Sequence, residues 1–230
     1  MGEARAQFAQ GMVAGLPVVL GYFPIAFSFG VAASRAGFSA AETTAFSLIV
    51  YSGAAQFLAV ALVAAGTPLL VAGFTLVAMG VRHLAYGPAL MKHAGQGRTR
   101  RAWIWAFGLT DEVFGVALGD LARGRRFSEA FMAGLGLAAY LAWVSGSWAG
   151  ALAGGGALAA YPAVEAGLGF MLPALFLALL LSILSRRQMP VILIAAGVTL
   201  GVTLAVSATA GILAGMLAGA LTGALRRATA

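Results

Sequence analysis

The sequence predicts an all-α, polytopic helical membrane protein with seven or eight transmembrane segments, some of them discontinuous. Three observations carry that prediction. Of 230 residues, 61% are hydrophobic and only 9% charged, against roughly 25% charged in soluble domains. Apolar stretches recur at about 10–33, 43–65, 68–91, 102–122, 128–152, 164–185 and 190–225, and a spanning helix needs ~20 residues at ~1.5 Å each. The basic residues sit in short clusters between these stretches, as membrane-flanking loops do. The net charge of +7 therefore gives no case for nucleic acid. With no cysteine and two histidines, neither a disulfide framework nor a zinc site is expected, and no cofactor is called for.

The first apolar stretch follows Arg5 and contains VAAS at 31–34, which imitates a signal peptide. It is longer than an h-region of ~7–15 residues, so residues 10–33 read as a retained span. Within it, GLPVVLGYFPIAFSFG at 15–30 carries Pro17 and Pro24 with Gly15, Gly21 and Gly30. A proline in a helix interior removes a ladder bond, so this segment is expected to be broken, with Gly21 and Pro24 near a substrate. In the second stretch, YSGAAQF at 51–57 places Ser52 and Gln56 four apart, on one face. The third, VAMGVRHLAYGPALM at 77–91, holds Arg82 and His83 ten and nine residues before Lys92. The fourth, FGLTDEVFGVALG at 107–119, puts Asp111 ten residues after Arg101, ~15 Å into a continuous helix.

The fifth and sixth stretches speak only through hydropathy, joined by GALAGGGALAAY at 150–161, which reads as a flexible connection. Residues 190–225 form either one long helix or two of ~17 residues parting near Ser207 to Thr209. Trp103 and Trp105 read as interfacial belt residues. With eight spans and a cytoplasmic N-terminus, that side holds Arg5, Arg123, Arg125, Arg126, Arg186, Arg187, Arg226 and Arg227. Arg35, Lys92, Arg98, Arg100 and Arg101 then lie opposite, an excess of the right sign in which the KHAGQGRTRR loop fits poorly. A first or fourth segment that does not fully cross would relieve the conflict. FGVA recurs at 29–32 and 114–117, so one arrangement of this single transport domain pairs 10–91 with 102–185 as an inverted three-plus-three repeat, followed by 190–225.

Depth gives the polar residues their meaning. An ionised carboxylate in hydrocarbon must be paired, protonated or wet, and intramembrane ionisable residues are functional by default. Arg82 is thus a candidate partner for Asp111 or Glu112, and Asp111, Glu112 and His83 are candidate proton carriers. The alternative is a structural ion pair that touches no ligand.

The stretches GLPVVLGYFPIAFSFGVAASRAGFS (15–39), YSGAAQF (51–57), VRHLAYGPAL (81–90) and LTDEVFGVAL (109–118), in this order, resemble the AzlC-type branched-chain amino-acid permeases. The resemblance covers the first half of the chain. It implies export of branched-chain or related small apolar amino acids, a bacterial cytoplasmic (inner) membrane location, and a small four-span AzlD-type membrane subunit as partner.

The residues read alone agree with a zwitterionic cargo. Arg82 or a broken first helix would hold its carboxylate, Asp111 or Glu112 its ammonium, and Phe23, Phe27 and Phe57 its side chain. The substrate-contacting set expected is Gly21, Pro24, Ser52, Gln56, Arg82, Asp111 and Glu112. No G-x-x-x-x-G-K-[ST] loop occurs, so proton coupling is the expected drive. A channel-like pore is the alternative class. An intramembrane aspartyl protease, suggested by ALGD at 117–120, requires adjacent carboxylates. Asp111 and Asp120 are nine residues apart on one helix, ~13 Å along its axis.

Overall fold

A computed structural model describes residues 2–92, 99, 102–156 and 160–228; the side chains of Arg82, of several residues between 162 and 183, and of residues 227 and 228 lie outside that description. The KHAGQGRTRR loop falls almost entirely outside the described residues. Twelve α-helices are described: α1 Gly2–Ala14, α2 Leu16–Arg35, α3 Ala40–Ile49, α4 Gly53–Ala64, α5 Leu69–Gly80, α6 Tyr86–Met91, α7 Ala102–Phe107, α8 Asp111–Ala122, α9 Glu129–Gly154, α10 Pro162–Ile183, α11 Met189–Ala205 and α12 Ala208–Ala228. A 3-10 turn, Val81–Ala85, joins α5 to α6. The all-α membrane class is thereby established: Leu16–Arg35, Leu69–Met91, Glu129–Gly154 and Ala208–Arg226 are each long and apolar enough to cross a bilayer.

The interruptions lie where hydropathy does not register them. α3 and α4 divide the second apolar stretch at 50–52, and α7 and α8 divide the fourth at 108–110. The first stretch, expected to break, is instead helical throughout. Gly15 bridges α1 and α2 by accepting from Val19 N–H at 2.9 Å and donating to the Gly11 carbonyl at 3.0 Å. Pro17 sits in the first turn of α2, a position that suits its fixed φ. Pro24 lies inside α2 with its ring exposed, which leaves the Leu20 carbonyl without its usual donor but does not part the helix. The last stretch does divide, at Val206 and Ser207, into α11 and α12. The expected connection at 150–161 begins later than its composition suggests, because α9 continues to Gly154.

α9 is the central element and packs chiefly against α2, then α1 and α3. Hydrophobic burial cannot drive this in lipid, where the surroundings are as apolar as the interface. Close backbone approach does. A Cβ on Gly150 would fall on the Phe27 carbonyl oxygen, one on Gly30 on the Ser147 carbonyl oxygen, and one on Gly134 on the Phe8 carbonyl oxygen. The fit extends to aromatic packing: Tyr22 meets Trp143 edge to face at 5.2 Å, within a cluster that includes Val18, Ala26, Val113, Leu135 and Ala139. α10 is tied to this pair through Ser28, whose hydroxyl donates to the Leu168 carbonyl at 2.7 Å. α11 and α12 pair with each other in the same manner, Gly211 and Gly215 lying against Thr203 and Thr199.

Gly150→Val is therefore expected to destabilise the protein by about 1–3 kcal/mol through overpacking against α2. Gly73→Ala, at a position with nothing within 4 Å of a new Cβ, is expected to leave stability unchanged or raise it. Thermal unfolding of both variants in detergent checks the pair; equal behaviour would contradict the packing described.

Candidate functional site

The two interruptions face one another. Ser52 is the residue before α4, extended at φ −154°, and its side chain does not cap the helix. Thr110 occupies the same place before α8, and its hydroxyl accepts the Val113 N–H at 3.4 Å. Asp111 and Glu112 thus begin α8, where the positive end of the helix dipole favours carboxylates. This corrects the expectation of a continuous helix with the acids ten residues inside it: they reach the protein interior because the helix starts there.

Each acid has a phenol. The Tyr86 hydroxyl hydrogen-bonds Asp111, and the Tyr22 hydroxyl hydrogen-bonds Glu112. Tyr22 also lies 2.5 Å from the Thr110 hydroxyl. A phenol has one proton, so with Glu112 ionised that proton goes to the carboxylate and Thr110 donates to the phenol oxygen. Tyr86 is held by stacking on Phe114 at 4.7 Å. His83, in the 3-10 turn, meets Tyr86 edge to face at 5.4 Å, with Nδ1 3.1 Å from the Gly80 carbonyl oxygen. If neutral, that ring donates through Nδ1 and leaves Nε2 as an acceptor.

These groups enclose a cavity of about 40 Å³ lined by Tyr22, Ser52, His83, Asp111, Glu112 and Trp143, with Ile25, Gly53, Ala54 and Thr110 completing the wall. A single water needs ~10–15 Å³ measured in this way, so the chamber holds a few waters. Its lining includes two carboxylates and the start of α4, whose first N–H groups have no intrahelical partner. The arrangement attracts a cationic and an anionic group at once.

Ser52, His83, Asp111 and Glu112 were expected at the site and line the cavity. Gly21 and Pro24 do not. Both are exposed on the outer side of α2, whose inner side carries Tyr22, Ile25 and Ala26. Gln56 is fully buried behind the cavity, where it accepts from Trp143 Nε1 at 2.7 Å and donates to the Ser47 hydroxyl at 3.1 Å. It holds α3, α4 and α9 together and has no surface toward the chamber. Phe23, Phe27 and Phe57 do not line it either; Ile25 and Trp143 supply the apolar wall. Arg82 has its backbone in the 3-10 turn beside His83, and the expected pairing of its side chain with the acids lies outside the described residues. Trp105 is buried, its Nε1 donating to Glu129 at 3.3 Å, while Trp103 is exposed. Of the described residues, no group of three or more His, Asp and Glu side chains is placed to hold a metal.

A helical membrane protein with a polar chamber between two interrupted helices has the make-up of a membrane transporter, and the comparisons with known proteins support that class. The family follows from comparison: the model of the AzlC protein family matches residues 17–157, and the chain belongs to that family. Among relatives, Inner membrane protein YgaZ of Escherichia coli (strain K12) is 47% identical over 202 residues, covering 85% of this chain and 82% of that protein. An uncharacterized membrane protein of Archaeoglobus fulgidus is 39% identical, with 80% and 78% covered. Branched-chain amino acid transport protein AzlC of Bacillus subtilis (strain 168) is 27% identical, with 70% and 62% covered. No solved structure matches significantly.

Gln56→Leu is expected to lower thermal stability by about 1–3 kcal/mol, because it leaves the buried Trp143 N–H without an acceptor. Unfolding in detergent reads this, and an unchanged midpoint would place the Trp143 indole on another partner.

Proposed function

We propose that the chain exports branched-chain or related small apolar amino acids across the cytoplasmic (inner) membrane in exchange for protons. The observation that supports it most directly is that two carboxylates and an uncapped helix start line one cavity. The ammonium of an α-amino acid is matched by Asp111 and Glu112, its carboxylate by the N–H groups of Gly53 and Ala54, and its aliphatic side chain by Ile25 and Trp143. Arg82, in the turn beside His83, is a second cation available to a carboxylate, whether the cargo's or that of Asp111. The names of the relatives point the same way: one is called a branched-chain amino acid transport protein and another an inner membrane protein.

The chamber, at about 40 Å³, is smaller than an amino acid, so its wall has to move to admit one. Transport then requires the chamber to open alternately to the two sides, as carriers do around a midplane site. Tyr22 and Tyr86 stabilise the acids while no ammonium is present, and a cationic cargo displaces those phenol bonds. Protonation of a carboxylate weakens the hold on the ammonium and favours its release, which links cargo and proton movement in opposite directions. We take His83, which lines the chamber, as the relay for that proton. A small four-span subunit of the AzlD type is the proposed partner.

Asp111→Asn and Glu112→Gln test the coupling. At least one is expected to abolish pH-gradient-driven flux of L-leucine or L-valine in vesicles while the protein remains inserted and folded. Wild-type gradient-driven flux in both variants would exclude these acids as proton carriers. Single-channel current steps in place of saturable counterflow would exclude the carrier itself.

A further inference from the structure

The contact between the last two helices is uneven along its length. α12 carries glycine at every fourth position, at Gly211, Gly215, Gly219 and Gly223. A Cβ added at Gly211 would fall on Thr203 and one at Gly215 on Thr199. At Gly219 it would lie 3.2 Å from the Ala195 Cβ, and at Gly223 it would meet nothing within 4 Å. The helices are thus tightest near their junction at Val206 and Ser207, and the contact is gone by Gly223, near the end where α11 starts and α12 finishes.

A groove of about 820 Å³ occupies that end, within the ~300–1,000 Å³ range of ligand pockets. Its lining combines two chemistries. Val191 and Ile192 of α11 and Ala220 and Gly223 of α12 are small or aliphatic, while Arg187, just before α11, and Arg226, near the end of α12, bring two guanidinium-bearing side chains from separate elements. Residues 166–230 contain four arginines and no Asp or Glu, so neither helix adds a carboxylate side chain to the groove. Arg226 also closes Ala208–Arg226, a helix long and apolar enough to cross a bilayer, and the end of such a helix lies at headgroup depth.

We propose that this groove binds an anionic glycerophospholipid, its phosphate held by Arg187 and Arg226 and an acyl chain lying along Ala220 and Gly223 between α11 and α12. The proposal is independent of the cargo of the chamber. An apolar lining accepts hydrocarbon without desolvating any polar group. Guanidinium pairs with phosphate oxygens through two parallel N–H bonds, which an ammonium cannot reproduce. The charge of the headgroup decides between lipids: a zwitterionic headgroup carries its own cation toward two guanidiniums and is repelled, whereas an anionic one leaves both free to pair with it. Basic pockets between spanning helices recognise anionic headgroups by the same chemistry.

The test uses the full chain in detergent, with thermal unfolding followed against increasing phosphatidylglycerol and, separately, phosphatidylcholine of the same acyl chains. Phosphatidylglycerol is expected to raise the midpoint at lower concentration than phosphatidylcholine does. Arg187→Gln and Arg226→Gln are each expected to weaken its binding about 5-fold, and the double variant about 30-fold. Gly223→Leu, which keeps both charges and has room for its side chain, is expected to weaken it as well by filling the groove. Arg126→Gln, an exposed arginine outside the groove, is expected to leave it unchanged. Equal response to the two lipids overturns the proposal, as does undiminished phosphatidylglycerol binding in the double variant or in Gly223→Leu. Equal weakening by Arg126→Gln overturns it too, because surface charge in general would then be the cause. Glycerol 3-phosphate matching the effect of phosphatidylglycerol would show an anion site with no acyl chain in the groove, and would likewise overturn it.

Discussion

Backbone polar groups have no water to bond in hydrocarbon, and the rest of this structure depends on that constraint. Each broken span must have its bare N–H and C=O groups covered by protein or by a polar chamber. Here the covering is done by α9 and α2. Their glycines bring two backbones into contact and leave the remaining volume for Trp143, Tyr22 and Gln56, which close over the interruption before α4. Tyr140, also from α9, takes up the Leu48 carbonyl at the end of α3. A helix pair that packed less closely could not shelter two interruptions, and without them no backbone ends would face the chamber.

The same constraint explains how acids come to rest inside the protein. A carboxylate in the middle of an unbroken helix would meet lipid or need a buried cation. At the first turn of α8, Asp111 and Glu112 have the dipole of their own helix, two tyrosine donors and a polar space. The interruption at 108–110 is therefore part of what permits the charge, as much as the charge is part of what the interruption presents.

Much of this was legible in the chain. Apolar runs gave the class and the places of four helices long and apolar enough to cross a bilayer, and rarity of charge singled out Asp111, Glu112 and His83. The breaks were not read correctly, for a physical reason. Three residues such as Val50 to Ser52 or Gly108 to Thr110 barely alter a hydropathy window, whereas Pro17 and Pro24 are conspicuous yet occupy positions a helix tolerates. The available signal was Thr110 followed by two acids, the composition of a helix N-cap and first turn, and to a lesser degree Ser52 before Gly53. Tyr22, Tyr86 and Trp143 escaped because an aromatic in an apolar helix reads as packing. Gln56 misled because its partner Trp143 lies 87 residues away, a distance at which spacing carries no information.

The glycine contacts also bear on how this sequence drifts over evolutionary time. Gly30, Gly134 and Gly150 accept no larger residue unless the facing helix retreats, so a change there becomes tolerable only together with a second change on the partner. Gly21, Gly73, Gly115 and Gly197 meet nothing within 4 Å of a new Cβ and are free to vary singly. A chain with 32 glycines is therefore not uniformly constrained: neutral substitution is expected to accumulate where a new Cβ meets nothing, and the α2 and α9 contact to change only in pairs.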